Sequence, residues 1–245
     1  MKLHSFFAET ALFLLAAAVF ILPPLAAPRA EGAAFFSTEL LFRHLLHCAA
    51  ALLCLSAARR LRPEFFGAAA RRNCSAVTAV GSGLLAFGWL CVCAAVLQIG
   101  ALFGAYSGGI SDFDELLPAS PAEVLLCAAT FFLSAASEEA VYRAFLPDSL
   151  ACMLLRLLPR RDGQAGAVQA SKRRACAAIS ILSECAAAAL FASAHRYLGA
   201  PAVVNAAAAH VFLRRCFCRT GRLAPGVLAH FCYNMGSLAL LRSLS

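Results

Sequence analysis

Long apolar runs broken by short charged loops set the pattern of this chain. The runs cover Phe6 to Leu25, Leu40 to Ala58, Ala76 to about Phe103, Ala122 to Leu158, Ala175 to His195, Pro201 to Arg215 and Leu223 to Leu241. Crossing a hydrocarbon layer of ~30 Å takes a helix of roughly 20 residues, and most of these runs are near that length. The pattern predicts an all-α, polytopic transmembrane helical bundle of about seven spans, folded as a single integral membrane domain over residues 1–245. Pro201 suits the first turn of its helix. If Pro147 marks the cytoplasmic end of the membrane-embedded part of the fourth helix, Glu138 lies about 13 Å into the membrane. The first run could be a signal peptide, since Ala26-Ala27-Pro28-Arg29-Ala30 is rich in small residues. Glu9 and the length of the run favour a retained span.

Charge then orients the spans. Alternate loops carry the arginines, at 59–72, 156–174 and 214–222, whereas the loops between them are acidic (Asp112, Asp114, Glu115) or nearly uncharged. The positive-inside rule therefore places the N-terminus in the cytoplasm and the C-terminus outside. A chain that is 62% hydrophobic and 14% charged is no ordinary soluble domain. Its net charge of +8 sits in interhelical loops, not in a stripe with interleaved aromatics, so no nucleic-acid partner is expected. The partner that composition implies is the lipid bilayer. Twelve cysteines without a CxxC pair read as small core residues, not as disulfides or a metal site.

Few strongly polar side chains remain inside the runs, and ionisable groups at that depth usually face a wet cavity or one another. Ser137-Glu138-Glu139-Ala140-Val141-Tyr142-Arg143 stands out in the fourth run. Glu139 and Arg143, four apart, share a helical face and can pair. Glu138 is turned about 100° away at 3.6 residues per turn, which leaves it free to point into a cavity. Phe191 with His195, and His230 with Asn234, repeat the four-residue spacing on the fifth and seventh runs. His230 and Glu138 come out at similar depth. His195 reaches that level only if the fourth and fifth helices extend past the bilayer as a hairpin. Other polar groups have quieter readings. His210 is expected to be a satisfied bundle histidine, and Glu184 to lie toward the cytoplasmic end of its helix. Arg43 can pair with Glu39, and His44 and His47 read as packing.

At these residues the chain resembles the CPBP family of intramembrane endopeptidases, which includes the type II CAAX prenyl endopeptidases and the bacterial ABI group. The family's ordered motifs are EExxxR, FxxxH and HxxxN or HxxxD. Here they stand as Glu138-Glu139-Ala-Val-Tyr-Arg143, Phe191-Ala-Ser-Ala-His195 and His230-Phe-Cys-Tyr-Asn234. The segment Arg219 to His230 also looks like the family's approach to its third motif. The resemblance covers about 122–240, the expected motif-bearing catalytic core, and departs from the family in the long basic insert 156–174.

The resemblance implies a glutamate-dependent peptidase of a membrane-associated protein or peptide, without cofactor or metal, in the bacterial inner (plasma) membrane. Glu138 would be the base that activates water, and His195 would orient that water and donate a proton. His230 and Asn234 would hold the oxyanion. Glu139, Arg143 and Phe191 would support the site structurally. Nothing in the residues selects a prenylated, CAAX-like substrate over an ordinary membrane-tethered peptide. Two alternatives stay open: a zinc metalloprotease using Glu138, His195 and His230 as ligands, and a non-catalytic transporter or scaffold.

Overall fold

A computed structural model describes residues 2–26, 36–63, 74–100, 117–157 and 166–244. Helix α1 (Lys2–Ala16) passes through a π-turn (Ala17–Ile21) into α2 (Leu22–Ala26), and α3 (Thr38–Leu61) and α4 (Ala76–Gly100) follow. Helix α5 (Pro121–Glu138), a π-helical segment (Glu139–Phe145) and α6 (Leu146–Arg156) make one continuous rod. Helix α7 (Gly166–Ala194), a 3-10 turn (Arg196–Leu198), α8 (Ala200–Thr220) and α9 (Ala224–Leu244) complete the bundle. No strand occurs among the described residues. The acidic loop of Asp112, Asp114 and Glu115 lies outside them.

Local sequence explains where these helices begin and end. Ser37 caps α3 by accepting from the Leu40 N–H at 3.1 Å. Ser120 and Glu123 form a reciprocal capping box at the start of α5. Gly221 ends α8 in the left-handed conformation, φ 66°, which spares a Cβ clash. Both π-segments end two residues before a proline, Ile21 before Pro23 and Phe145 before Pro147. A proline ring clashes with the carbonyl four residues back and offers it no N–H. The wider π-turn relieves that clash and lets the helix run on. Pro147 therefore sits inside a continuous rod that runs on to Arg156.

The rod from Pro121 to Arg156 has 36 residues. At 1.5 Å per residue it spans about 54 Å, well beyond a ~30 Å hydrocarbon core. Its α6 end packs against α7 as an extended hairpin. That hairpin is what brings His195 level with Glu138. Arginines mark one end of the bundle. Arg62 at the end of α3 and Arg156 at the end of α6 both pair with Glu9 in the middle of α1. At the other end, Arg196 donates to the Pro24 carbonyl at 2.7 Å and Arg242 to the Pro118 carbonyl at 3.2 Å. Successive rods thus alternate in direction.

Large apolar side chains such as Leu53, Val77, Val80, Leu84 and Leu125 face outward, and Ala51, Ala86, Ala135, Ala187 and Ala209 fill the interior. Hydrocarbon surroundings reward that arrangement, because small interior residues let helices approach closely. A Cβ on Gly83 of α4 would meet the Pro225 carbonyl of α9 at 3.1 Å. Among the described residues, five segments are long and apolar enough to cross a membrane: Phe6–Ala26, Thr38–Leu61, Ala76–Ile99, Pro121–Arg156 and Arg173–Ala194. Helices α8 and α9 pack between them and carry the polar groups His210, Arg214, His230 and Asn234, which lower their hydropathy. The chain is an integral membrane protein built as a helical bundle.

Candidate active site

The π-helical segment organises the cluster. Glu139 and Arg143 are almost fully buried, with the Arg143 Nε 3.5 Å from Glu139 Oε1, the pairing their spacing suggested. Arg143 also lays its guanidinium over the Phe191 ring, 3.9 Å from the centroid. That stacking supplies a favourable face to a cation held away from water. Glu138 differs. Its side chain is 25% exposed against 1% for Glu139. Ser134, one turn earlier on α5, donates to Glu138 Oε1 at 2.7 Å. Glu138 Oε2 has no hydrogen-bond partner among the described residues.

Histidine 230 joins the two carboxylates. Its Nδ1 lies 3.1 Å from Glu139 Oε1, and its Nε2 lies 3.8 Å from Glu138 Oε2. The sequence reading gave the glutamates separate faces on a 3.6-residue helix. The switch to π geometry after Glu138 lets both reach one imidazole. Gly226, one turn before His230 on α9, makes room for this: a Cβ there would stand 2.9 Å from Glu139 Oε2.

His195 ends α7. Its Nδ1 donates to the Phe191 carbonyl at 2.8 Å, so in the neutral ring Nε2 keeps its lone pair. The two rings meet edge to face at 4.6 Å. Phe191 is 1% exposed and is ringed by Tyr142, His195, His210 and His230. Both His195 and His230 lie within electrostatic range of Glu138, as do His44 of α3 and Tyr197. Asn234 sits one turn beyond His230, half-buried, and its side-chain amide makes no hydrogen bond among the described residues.

A second layer of polar groups backs the first. Arg143 NH1 meets His210 Nδ1 at 3.1 Å, and His210 Nε2 lies 3.9 Å from Glu184 Oε2. Arg214 grips Glu184 and Asp148, each at 2.7 Å, and donates to the Arg143 carbonyl. The sequence reading placed Arg214 in a basic loop. It lies instead within α8, which continues to Thr220 because two carboxylates neutralise the arginine inside the bundle. The spacing His210-x-x-x-Arg214, two polar groups on one helical face, is the signal for it in the sequence. Ser134, four residues before Glu138, was equally visible and unremarked.

Two cavities lie away from this cluster. One of about 20 Å³ is bordered by Glu9, Arg62, Phe145 and Ser149, and one of about 490 Å³ by Ser120, Val124, Leu125 and Arg242. The hydrated pocket expected around Glu138 is neither of these.

A family model described as Type II CAAX prenyl endopeptidase Rce1-like matches residues 119–236. That segment is just under half of the chain and holds Ser134, Glu138, Glu139, Arg143, Phe191, His195, His230 and Asn234. No curated protein and no solved structure matches.

Proposed function

We propose, from the membership of residues 119–236 in the type II CAAX prenyl endopeptidase Rce1-like family, that this integral membrane protein is an intramembrane endopeptidase whose water is activated by Glu138. One observation carries the reading. Glu138 Oε2 has no hydrogen-bond partner among the described residues and faces His230 Nε2 across 3.8 Å. A polar gap of that width suits a bridging water better than a direct bond.

The chemistry follows from the groups at hand. Glu138 takes a proton from the water as its oxygen attacks the scissile carbonyl carbon. His195 Nε2, left with its lone pair by the Nδ1 bond to Phe191, accepts the water's second hydrogen bond and orients it. The carbonyl oxygen gains the negative charge of the tetrahedral intermediate. His230, held in place by Glu139, donates to that oxygen, and the Asn234 amide can add a second donor. Collapse expels the amine, which takes the proton that Glu138 received from the water, directly or relayed through His195 Nε2. Glu139 and Arg143 fix the His230 ring, and Phe191 carries Arg143. The substrate is a membrane-associated protein or peptide, with prenylated CAAX-like sequences as the finer candidate from the family description.

Glu138→Gln keeps the shape of the side chain and removes the base. Turnover of a membrane-anchored peptide reporter should fall by roughly 10²- to 10⁴-fold, with the protein still folded in detergent. Chelator treatment of the wild type should leave turnover unchanged. A Glu138→Gln protein that cleaves like the wild type ends this reading, and loss of activity on chelation replaces it with a metal mechanism.

A further inference from the structure

We propose that Arg214 is a positioning residue that clamps the π-helical segment by giving the Arg143 carbonyl the donor that Pro147 lacks. The proposal rests on the endopeptidase reading for its kinetic consequence. In an α-helix the N–H at position 147 would serve the carbonyl of Arg143, four residues earlier. Proline has no N–H, and its ring pushes against that same carbonyl. The exposed acceptor is then met from outside the helix. Arg214 of α8 donates to it through NH1.

The clamp is built on both sides of the proline. Arg214 NH2 donates to Asp148 Oδ1 at 2.7 Å, so one guanidinium holds the carbonyl four residues before Pro147 and the carboxylate directly after it. Glu184 of α7 fixes that guanidinium with Oε1 at 2.9 Å from Nε and 2.7 Å from NH2, and Oε2 at 3.1 Å from Nε. Three helices therefore meet on one planar cation. A lysine could balance the two carboxylates, but its single ammonium lacks the planar fork needed to serve every acceptor.

The same device occurs a second time in the chain. Pro24 leaves the Phe20 carbonyl without its helical donor, and the Tyr142 hydroxyl, from the π-helical segment, donates to it at 3.1 Å. In each case a proline frees a carbonyl beside a π-turn and a distant side chain takes it. Only at Arg143 does the clamp set the register of charged site residues. Glu138 and Glu139 share His230 in this register, and displacements near 1 Å at such sites cost on the order of 100-fold in rate.

The test uses the full-length protein in lipid nanodiscs. The variants are Arg214→Lys, Arg214→Gln, Pro147→Ala and the Pro147→Ala/Arg214→Gln double. Turnover of the membrane-anchored reporter gives kcat and KM. Carbonyl-labelled arginine with nitrogen-labelled alanine gives the Arg143 carbonyl resonance, one of three Arg–Ala pairs beside Arg29–Ala30 and Arg174–Ala175. Arg214→Lys, which keeps a cation for Glu184 and Asp148, should fold, shift that resonance, and lower kcat roughly 100-fold with KM nearly unchanged. The double variant should fall no further than Pro147→Ala alone, because the two changes act on one carbonyl. A resonance that ignores both Arg214 variants, an unchanged kcat, or losses that multiply in the double variant would overturn the proposal. If Glu138→Gln cleaves like the wild type, the endopeptidase reading has failed, and the carbonyl resonance alone decides whether the clamp exists.

Discussion

Glu139 is confined from three directions: by Arg143 Nε at 3.5 Å, by His230 Nδ1 at 3.1 Å, and by the bare backbone of Gly226. A methyl group at Gly226 would arrive 2.9 Å from Glu139 Oε2, so the carboxylate would have to move. Moving it drags His230, whose other nitrogen faces Glu138. Alanine is also a better helix former than glycine by about 1 kcal/mol. The two effects oppose each other on stability and not on activity. Gly226→Ala should therefore keep a thermal midpoint near that of the wild type while turnover drops roughly 100-fold. Thermal denaturation and the reporter assay on one preparation check this, and equal activity would mean that the Glu139 position is not critical.

Among the helices, the two π-segments have the largest consequences. Each lets a proline sit inside a rod that would otherwise stop, and each frees a carbonyl for a tertiary contact. The Tyr142 hydroxyl on the Phe20 carbonyl ties the α1–α2 rod to the segment that carries the glutamates. Tyr142→Phe keeps the ring packed against Phe191 and removes only the donor. It leaves a buried acceptor unpaired, at a cost of about 1–3 kcal/mol. Chemical denaturation in detergent should show that loss as a lower midpoint. Restoring a backbone N–H with Pro24→Ala should recover much of it.

For the molecule as a whole, the shared end of Arg62, Arg156 and Glu9 implies one basic face. We expect that face in the cytoplasm by the positive-inside rule. A fluorescent reporter fused to the N-terminus should be shielded from an external quencher, and an alkaline phosphatase fused to the C-terminus should be active outside the cell. The opposite pattern would invert the bundle and place the α6–α7 hairpin on the outer side. The hairpin projects because its rod, at about 54 Å, is longer than the hydrocarbon layer.

Hydropathy and motif order were enough to read helices, their sequence along the chain, and to single out Glu138, Glu139, Arg143, His195 and His230, with the ring of Phe191, as side chains that gather. Membrane helices advertise themselves because their outer faces must be apolar, and a charge kept within one is conspicuous. Three things were hidden. The π register after Glu138 could not be seen because period counting assumes 3.6 residues per turn, and only packing around Pro147 selects the wider turn. Arg214 looked like a loop residue because its carboxylate partners, Asp148 and Glu184, come from other helices far away in the chain. Asn234 shares a helical face with His230 by spacing, yet spacing says nothing of what either meets across the bundle. Local pattern fixes which residues are helical and which faces are polar; partners at long sequence separation are set by how the helices pack.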